Sequence, residues 1–271
     1  FSLEDSADLT ISGTGALTTN AVSRASESTT FNLTGGSYTS NDKLYIDGDF
    51  NWTGGSILNN GFVFNHGTAN ITVNVGMSLD QTFSNKGSVN LSGSAVLGGS
   101  GSYINETSDD SPALTTVSES VTIDPNIVNH GLFLIDAMDS DADLTVTGGL
   151  TNHGSVQLDD TSTTGAAGEV TLTVSNSELN NVGTIEFSDL SGDGGLREIY
   201  IDTGGTFVNS GSLLVDVSTN IHVLGVLFDL KGGTIDIVAN ENLDIIGGTT
   251  TTSSTTTTMI EIDDQTQIMG A

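Results

Sequence analysis

One phrase of nine residues keeps returning along this chain: apolar, any, Asn, any, Gly, any, apolar, any, apolar. It is carried by Phe83, Asn85, Gly87, Val89 and Leu91, and again by Ile127, Asn129, Gly131, Phe133 and Ile135. Further copies are built on Leu150, Asn152, Gly154, Val156 and Leu158, and on Leu179, Asn181, Gly183, Ile185 and Phe187. A fifth is built on Phe207, Asn209, Gly211, Leu213 and Val215. Self-similarity of this kind marks a stacked-repeat protein, in which each unit buries its apolar face only against its neighbours.

The closing glycines fall at positions 67, 87, 131, 154, 183 and 211, with a looser copy at 233. Successive gaps are 20, 44, 23, 29, 28 and 22; the 44 is twice 22, so one degenerate or interrupted turn is expected between Gly87 and Gly131. A period near 22 is shorter than the helix-pair repeats allow. Within each phrase the apolar residues alternate, as in Val89 and Leu91 or Ile185 and Phe187, which is the pattern of a half-buried strand. Asn-x-Gly is a turn signal: Gly accepts positive φ without steric cost and Asn tolerates it. Gly-Gly pairs at 35–36, 54–55, 98–99, 148–149, 204–205, 232–233 and 247–248 supply a second bend, several of them just ahead of the phrase.

One turn is then strand, Gly-Gly bend, short strand, Asn-x-Gly bend, strand. Two-residue Asn-Gly hairpins would give an antiparallel meander, but a signal held in one register at one copy per turn favours parallel stacking. The expected fold is all-β, a single-stranded parallel β-helix of about 12 rungs, roughly 60 Å long at ~4.8 Å per rung, with almost no α-helix. Residues 1–248 form the coil, with an irregular insertion near 100–126 that holds both prolines, Pro112 and Pro125. Residues 249–271 are a Thr-rich segment, either a linker or a loop leading into a last strand at Met259. The recurring Asn65, Asn85, Asn129, Asn152, Asn181 and Asn209 are expected to form a stacked amide ladder that serves the backbone at the bend.

The chain carries 34 acidic and 5 basic residues, a formal charge of -29. Nucleic acid is excluded as a partner, since phosphate binding needs clustered Lys and Arg, and anionic lipid surfaces are disfavoured for the same reason. No apolar run reaches the length of a membrane span, so no membrane insertion is expected. Cysteine is absent, which fits a large solenoid that needs no staples. Neither Phe1 nor Ala271 lies in a polar capping segment. A bare terminal rung invites strand addition, so the chain is expected to be part of something longer or to meet copies of itself, head-to-tail or laterally.

Candidate sites are few. Asp139, Asp141 and Asp143 alternate, and in an extended segment their carboxylates face one way, as a calcium ligand set requires. Asp189 and Asp193 have the spacing of the first half of a calcium loop, although Tyr200 stands where a bidentate Glu would close it. Calcium is the one cofactor the sequence suggests. His66, His130 and His153 share the middle of Asn-His-Gly, so stacked imidazoles could share a metal ion, but Lys86, Val182 and Ser210 fill the same slot elsewhere. Sequons begin at Asn32, Asn51, Asn70, Asn90 and Asn105.

A polysaccharide lyase needs basic residues, and Arg24, Lys43, Lys86, Arg197 and Lys231 read as scattered. A hydrolase needs two carboxylates across a cleft, whereas the Asp109–Asp110, Asp159–Asp160 and Asp263–Asp264 pairs are adjacent in loop-like sequence. The expectation is therefore that the chain is not an enzyme, with a carbohydrate-active β-helix (hydrolase or lyase) as the competing reading.

The Asn-x-Gly phrase with Gly-Gly bends ahead of it, over roughly residues 30–248, resembles the passenger domains of bacterial autotransporters and the rods of filamentous-haemagglutinin-type adhesins. That resemblance implies a right-handed parallel β-helix, an extracellular or cell-surface location, and a role as adhesin stalk or fibre segment. It also implies a cell-surface or carbohydrate receptor as partner. It brings no active-site residues with it.

Overall fold

The computed structural model describes residues 1–58, 61–107, 112–138, 140–162, 168–192, 194–224, 227–238, 241–246, 250–251, 259–262 and 267–270. The chain winds as a parallel β-solenoid, with no helix among the described residues. Three sheets run along it. Sheet A has twelve strands, from Ser2–Leu3 to Thr250–Thr251. Sheet B has fourteen, a path of twelve from Asp8–Ile11 to Met259–Ile262 with Ala16–Thr19 and Ser78–Leu79 beside it. Sheet C has eight, from Val96–Leu97 to Gln267–Gly270. Each turn adds one strand to a sheet in parallel register, as where Thr151 faces Asn180, Gln157 faces Glu186 and Thr173 faces Tyr200. The Asn-x-Gly signal therefore marks the corner between sheets A and B and makes no hairpin.

Alternation decides what the coil encloses. Along Thr184–Phe187, Ile185 and Phe187 are buried while Thr184 and Glu186 face outward. In the N-terminal half the interior is a run of rings: Phe31 and Phe50 lie 5.4 Å apart, Phe50 and Phe83 6.2 Å, Phe83 and Tyr103 5.7 Å. Beyond Phe133 the filling is mostly aliphatic, with Leu144, Val146, Val156, Leu158, Val170 and Leu172 all buried. Each such side chain contributes about 1.5–3 kcal/mol relative to exposure.

At the A–B corner seven asparagines form one continuous chain. Nδ2 of Asn65 donates to Oδ1 of Asn85, and the same bond links Asn85 to Asn105, Asn105 to Asn129, Asn129 to Asn152, Asn152 to Asn181 and Asn181 to Asn209, all at 2.6–2.9 Å. Every donor points toward the C-terminal rung. The second amide hydrogen serves a carbonyl at the start of sheet B, as from Asn129 to Ser155 and from Asn152 to Thr184, both at 2.8 Å. The ladder ends where Ile46 and Leu230 replace Asn in register, and there Asn65 Oδ1 and Asn209 Nδ2 are buried without a partner.

One sequence expectation is corrected at this corner. The glycines of the phrase are not in the left-handed region; positive φ belongs to others, such as Gly36 and Gly55 in the bulged strands of sheet B. Gly is required in the phrase because the rungs approach so closely: a Cβ on Gly183 would sit 2.1 Å from the Gly154 carbonyl oxygen, and one on Gly154 2.3 Å from that of Gly131. The turn expected between Gly87 and Gly131 is present, with its strands in register. Asn105 occupies the ladder slot, and the glycine slot is filled by Ala113, whose carbonyl receives the Leu132 amide as Gly131 receives that of Ser155. The irregularity expected near 100–126 reduces to residues 107–112 inserted inside one bend, closed by an antiparallel bridge from Thr107 to Pro112. Strands Ser102–Asn105, Leu114–Val117 and Val121–Ile123 on either side are in register. The Met259–Ile262 strand pairs with Thr234–Ile237.

Candidate functional site

The outward columns of sheet A change character along the coil. Strands Ser23–Ala25, Lys43–Ile46 and Phe62–Asn65 turn Arg24, Lys43, Tyr45, Phe62 and Phe64 outward, because Ser23, Ala25, Leu44, Ile46, Val63 and Asn65 between them are buried. Register places Arg24 beside Tyr45 and Tyr45 beside Phe64, with Lys43 beside Phe62. A third column runs through the turn: the amides of Asp47, His66 and Lys86 each bond to a carbonyl of the preceding rung, those of Ala25, Ile46 and Asn65.

These columns form one aromatic and cationic face. The Tyr45 and Phe64 rings lie 5.1 Å apart at 15°, and Phe62 lies 5.9 Å from Phe64 at 17°. Asp47 bridges two neighbours, taking Arg24 Nε at 2.6 Å on one oxygen and His66 Nδ1 at 2.8 Å on the other. Lys43 and Lys86 make no ion pair among the described residues. Shallow grooves flank the face. One of about 360 Å³ is lined by Arg24, Ser26, Glu27, Ser28 and Asp47. The other, about 250 Å³, is lined by Phe62, Asp80, Gln81, Thr82 and Ser102 among others.

The expectation that the basic residues are scattered is thus corrected. Arg24 and Lys43 stand on neighbouring strands of sheet A in adjacent outward columns, and Lys86 stands two rungs beyond Lys43 in the turn column of Asp47 and His66, so the coil brings three of the five cations to one side. The signal was a spacing close to the repeat. Lys231 follows the distant strand Leu227–Leu230, and Arg197 is buried.

Asp139 and Asp193 lie outside the described residues. Asp141 accepts the Glu169 amide of the next rung at 3.0 Å, while Asp143 accepts the Ser120 hydroxyl of the preceding one at 2.8 Å. Asp189 accepts the Ser191 hydroxyl and the Gly192 and Gly194 amides, and faces Arg197 at 3.6 Å. No group of three or more His, Cys, Asp or Glu among the described residues is arranged to hold a metal ion. Asp159 and Asp160 are buried and engaged by backbone amides, including those of Leu190, Ser162 and Gly168. Asp109–Asp110 and Asp263–Asp264 lie outside the described residues.

Arg197 is the residue the sequence concealed. Two successive turns run long between sheets B and C, from Asp159 to Val170 and from Phe187 to Arg197. Beneath them Arg197 Nε donates to the Ser188 carbonyl at 2.8 Å, and Nη1 to the Gly168 carbonyl at 2.9 Å. Burial would raise the Asp189 carboxyl, but the bonds from Ser191, Gly194 and Gly192 and the nearby Arg197 hold it below its ordinary value. This corner is a lock for two loops.

His130 and His153 stack face to face, 4.9 Å apart at 9°, so their in-plane nitrogens run parallel and do not converge on one ion at the ~2.0–2.1 Å of a zinc–imidazole bond. On sheet C, Glu198 accepts bonds from Tyr200, Asn220 and His222 at 2.9, 2.8 and 3.1 Å, with the Tyr200 and His222 rings stacked 4.2 Å apart. Burial opposes the Glu198 charge, yet these donors hold its carboxyl below the usual value. Four sequon asparagines, Asn32, Asn51, Asn70 and Asn90, form an outward row on sheet B with amide bonds of 2.9–3.2 Å, whereas Asn105 is buried in the inner ladder. No protein-family model, curated protein or solved structure matches this chain.

Proposed function

We propose that the protein is a rigid extracellular or cell-surface rod, an adhesin stalk or fibre segment whose N-terminal rungs carry its contact face. The supporting observation is the parallel stacking of three sheets, with one amide chain from Asn65 to Asn209 along a corner. Such a body resists bending, because a bend must open ladder bonds along the wall it stretches. The acid excess keeps neighbouring rods apart and soluble. A cationic, ring-bearing face on so acidic a rod gives it one place of different chemistry.

Electron microscopy of the purified chain, joined to protease accessibility on intact source cells, tests this reading. Straight isolated rods and cleavage from outside the cell support it. Flexible or globular particles, or a chain protected inside the cell, contradict it. Filaments in place of isolated rods assign the fibre-segment form.

A further inference from the structure

Lys43 and Lys86 are the unusual residues of the contact face. In a chain with 34 acids, two ammonium groups stand without a carboxylate within ion-pair distance among the described residues. They lie at opposite corners of the ring cluster, one beside Phe62 and the other next to His66 in the turn column. Arg24, 60 % exposed, spends only its Nε on Asp47. The rings between them sit on the outside of a coil whose Phe31, Phe50, Trp52, Phe83, Tyr103 and Phe133 are all buried, and Phe62 remains 43 % exposed.

We infer that this face binds an acidic saccharide, a pyranose chain bearing carboxylates, with Tyr45, Phe62 and Phe64 against its C–H surface and Arg24, Lys43 and Lys86 taking its charge. A pyranose has both surfaces the face offers partners for: an apolar C–H flank for the aromatic rings and hydroxyl edges for hydrogen bonds. Sugar hydroxyls find the Asp80 carboxylate and the Thr82 and Ser102 hydroxyls in the groove beside Phe62. The guanidinium and ammonium groups select a carboxylate over a neutral sugar. The inference rests on the reading of the chain as an adhesive rod and names what the rod holds.

Isothermal titration of the full chain with short galacturonate oligomers tests it, with neutral galactose oligomers of equal length as control. Galacturonate binding that weakens as salt is raised is expected. Lys43→Gln with Lys86→Gln should lower affinity about tenfold, equivalent to ~1.4 kcal/mol. Phe62→Ala should weaken binding several-fold, and Lys231→Gln should leave it unchanged. All four side chains are on the surface, so thermal unfolding should not move. Absence of binding, equal binding of the neutral oligomer, or a Lys43/Lys86 variant that binds like the parent overturns the assignment. So does sedimentation showing that this variant loses self-association while no saccharide binds, which gives the face to a second copy of the chain. Micrographs of the same samples separate the two readings: straight rods that bind nothing refute the site and leave the rod.

Discussion

Asn105 Nδ2 donates to Asn129 Oδ1 at 2.8 Å across a turn that contains an inserted loop. The bond is as short as that between Asn152 and Asn181, where the bend is uninterrupted. Thr107 and Pro112 are joined by an antiparallel bridge, and the strands on either side keep their register.

The position of an Asn in this chain decides its worth. Asn152 accepts from Asn129 and donates to Asn181, both buried, and donates to the half-buried Thr184 carbonyl. Asn152→Ala should cost about 1–3 kcal/mol for each buried partner it leaves unsatisfied. Asn209, the last member, already has an unpartnered Nδ2, so Asn209→Ala should cost less. Urea unfolding of the two variants checks the order, and equal losses would count against a directional ladder.

Arg197 should be the most sensitive charged residue. It is fully buried and ties the Ser188 and Gly168 carbonyls while facing Asp189. Removing one partner of a buried pair typically costs about 3–5 kcal/mol, so Arg197→Leu should fall in that range. Chemical denaturation measures it, and a loss within experimental error would show that the loops hold themselves.

Stability should pass through a maximum on the acid side of neutrality. Burial and then the charges of Asp216 and Asp159 raise the Glu186 carboxyl, and burial and then Asp236 raise that of Asp216. A raised carboxyl holds its proton more tightly when folded, so acidification from neutral pH first relieves a penalty. Asp189 and Glu198 are depressed, so their contribution is complete above the ordinary carboxylate value of about 4 and is lost as pH falls through their lower folded values. Thermal midpoints taken across pH should rise and then fall, and Glu186→Gln should flatten the rise. A midpoint that only declines on acidification would contradict the opposed shifts.

Much of the coil was legible because backbone demands repeat. Asn at the bend and Gly beneath it recur wherever rungs touch, so Asn129 with Gly131 and Asn152 with Gly154 announce themselves. Asn105 escaped notice because its glycine partner is Ala113, displaced by the inserted loop. The contact face was harder to see, since Arg24, Lys43 and Lys86 stand on different rungs and in different columns, and only register brings them to one side of the coil. Arg197 was hidden for a different reason: nothing in the sequence marks an outward-type residue turned into the core under two long loops.

Cysteine pairs introduced into this cysteine-free chain test the winding itself. Gln157 and Glu186 are in register on neighbouring rungs of sheet B, both outward, as are Thr151 and Asn180 on sheet A. Adjacent strands stand ~4.7–4.9 Å apart, within the Cα separation a disulfide spans. Both pairs should close under mild oxidation, and a Gln157/Ile185 pair, with one side chain outside and one inside, should not. Closure of the mismatched pair with neither matched one would mean that the chain does not coil in parallel rungs.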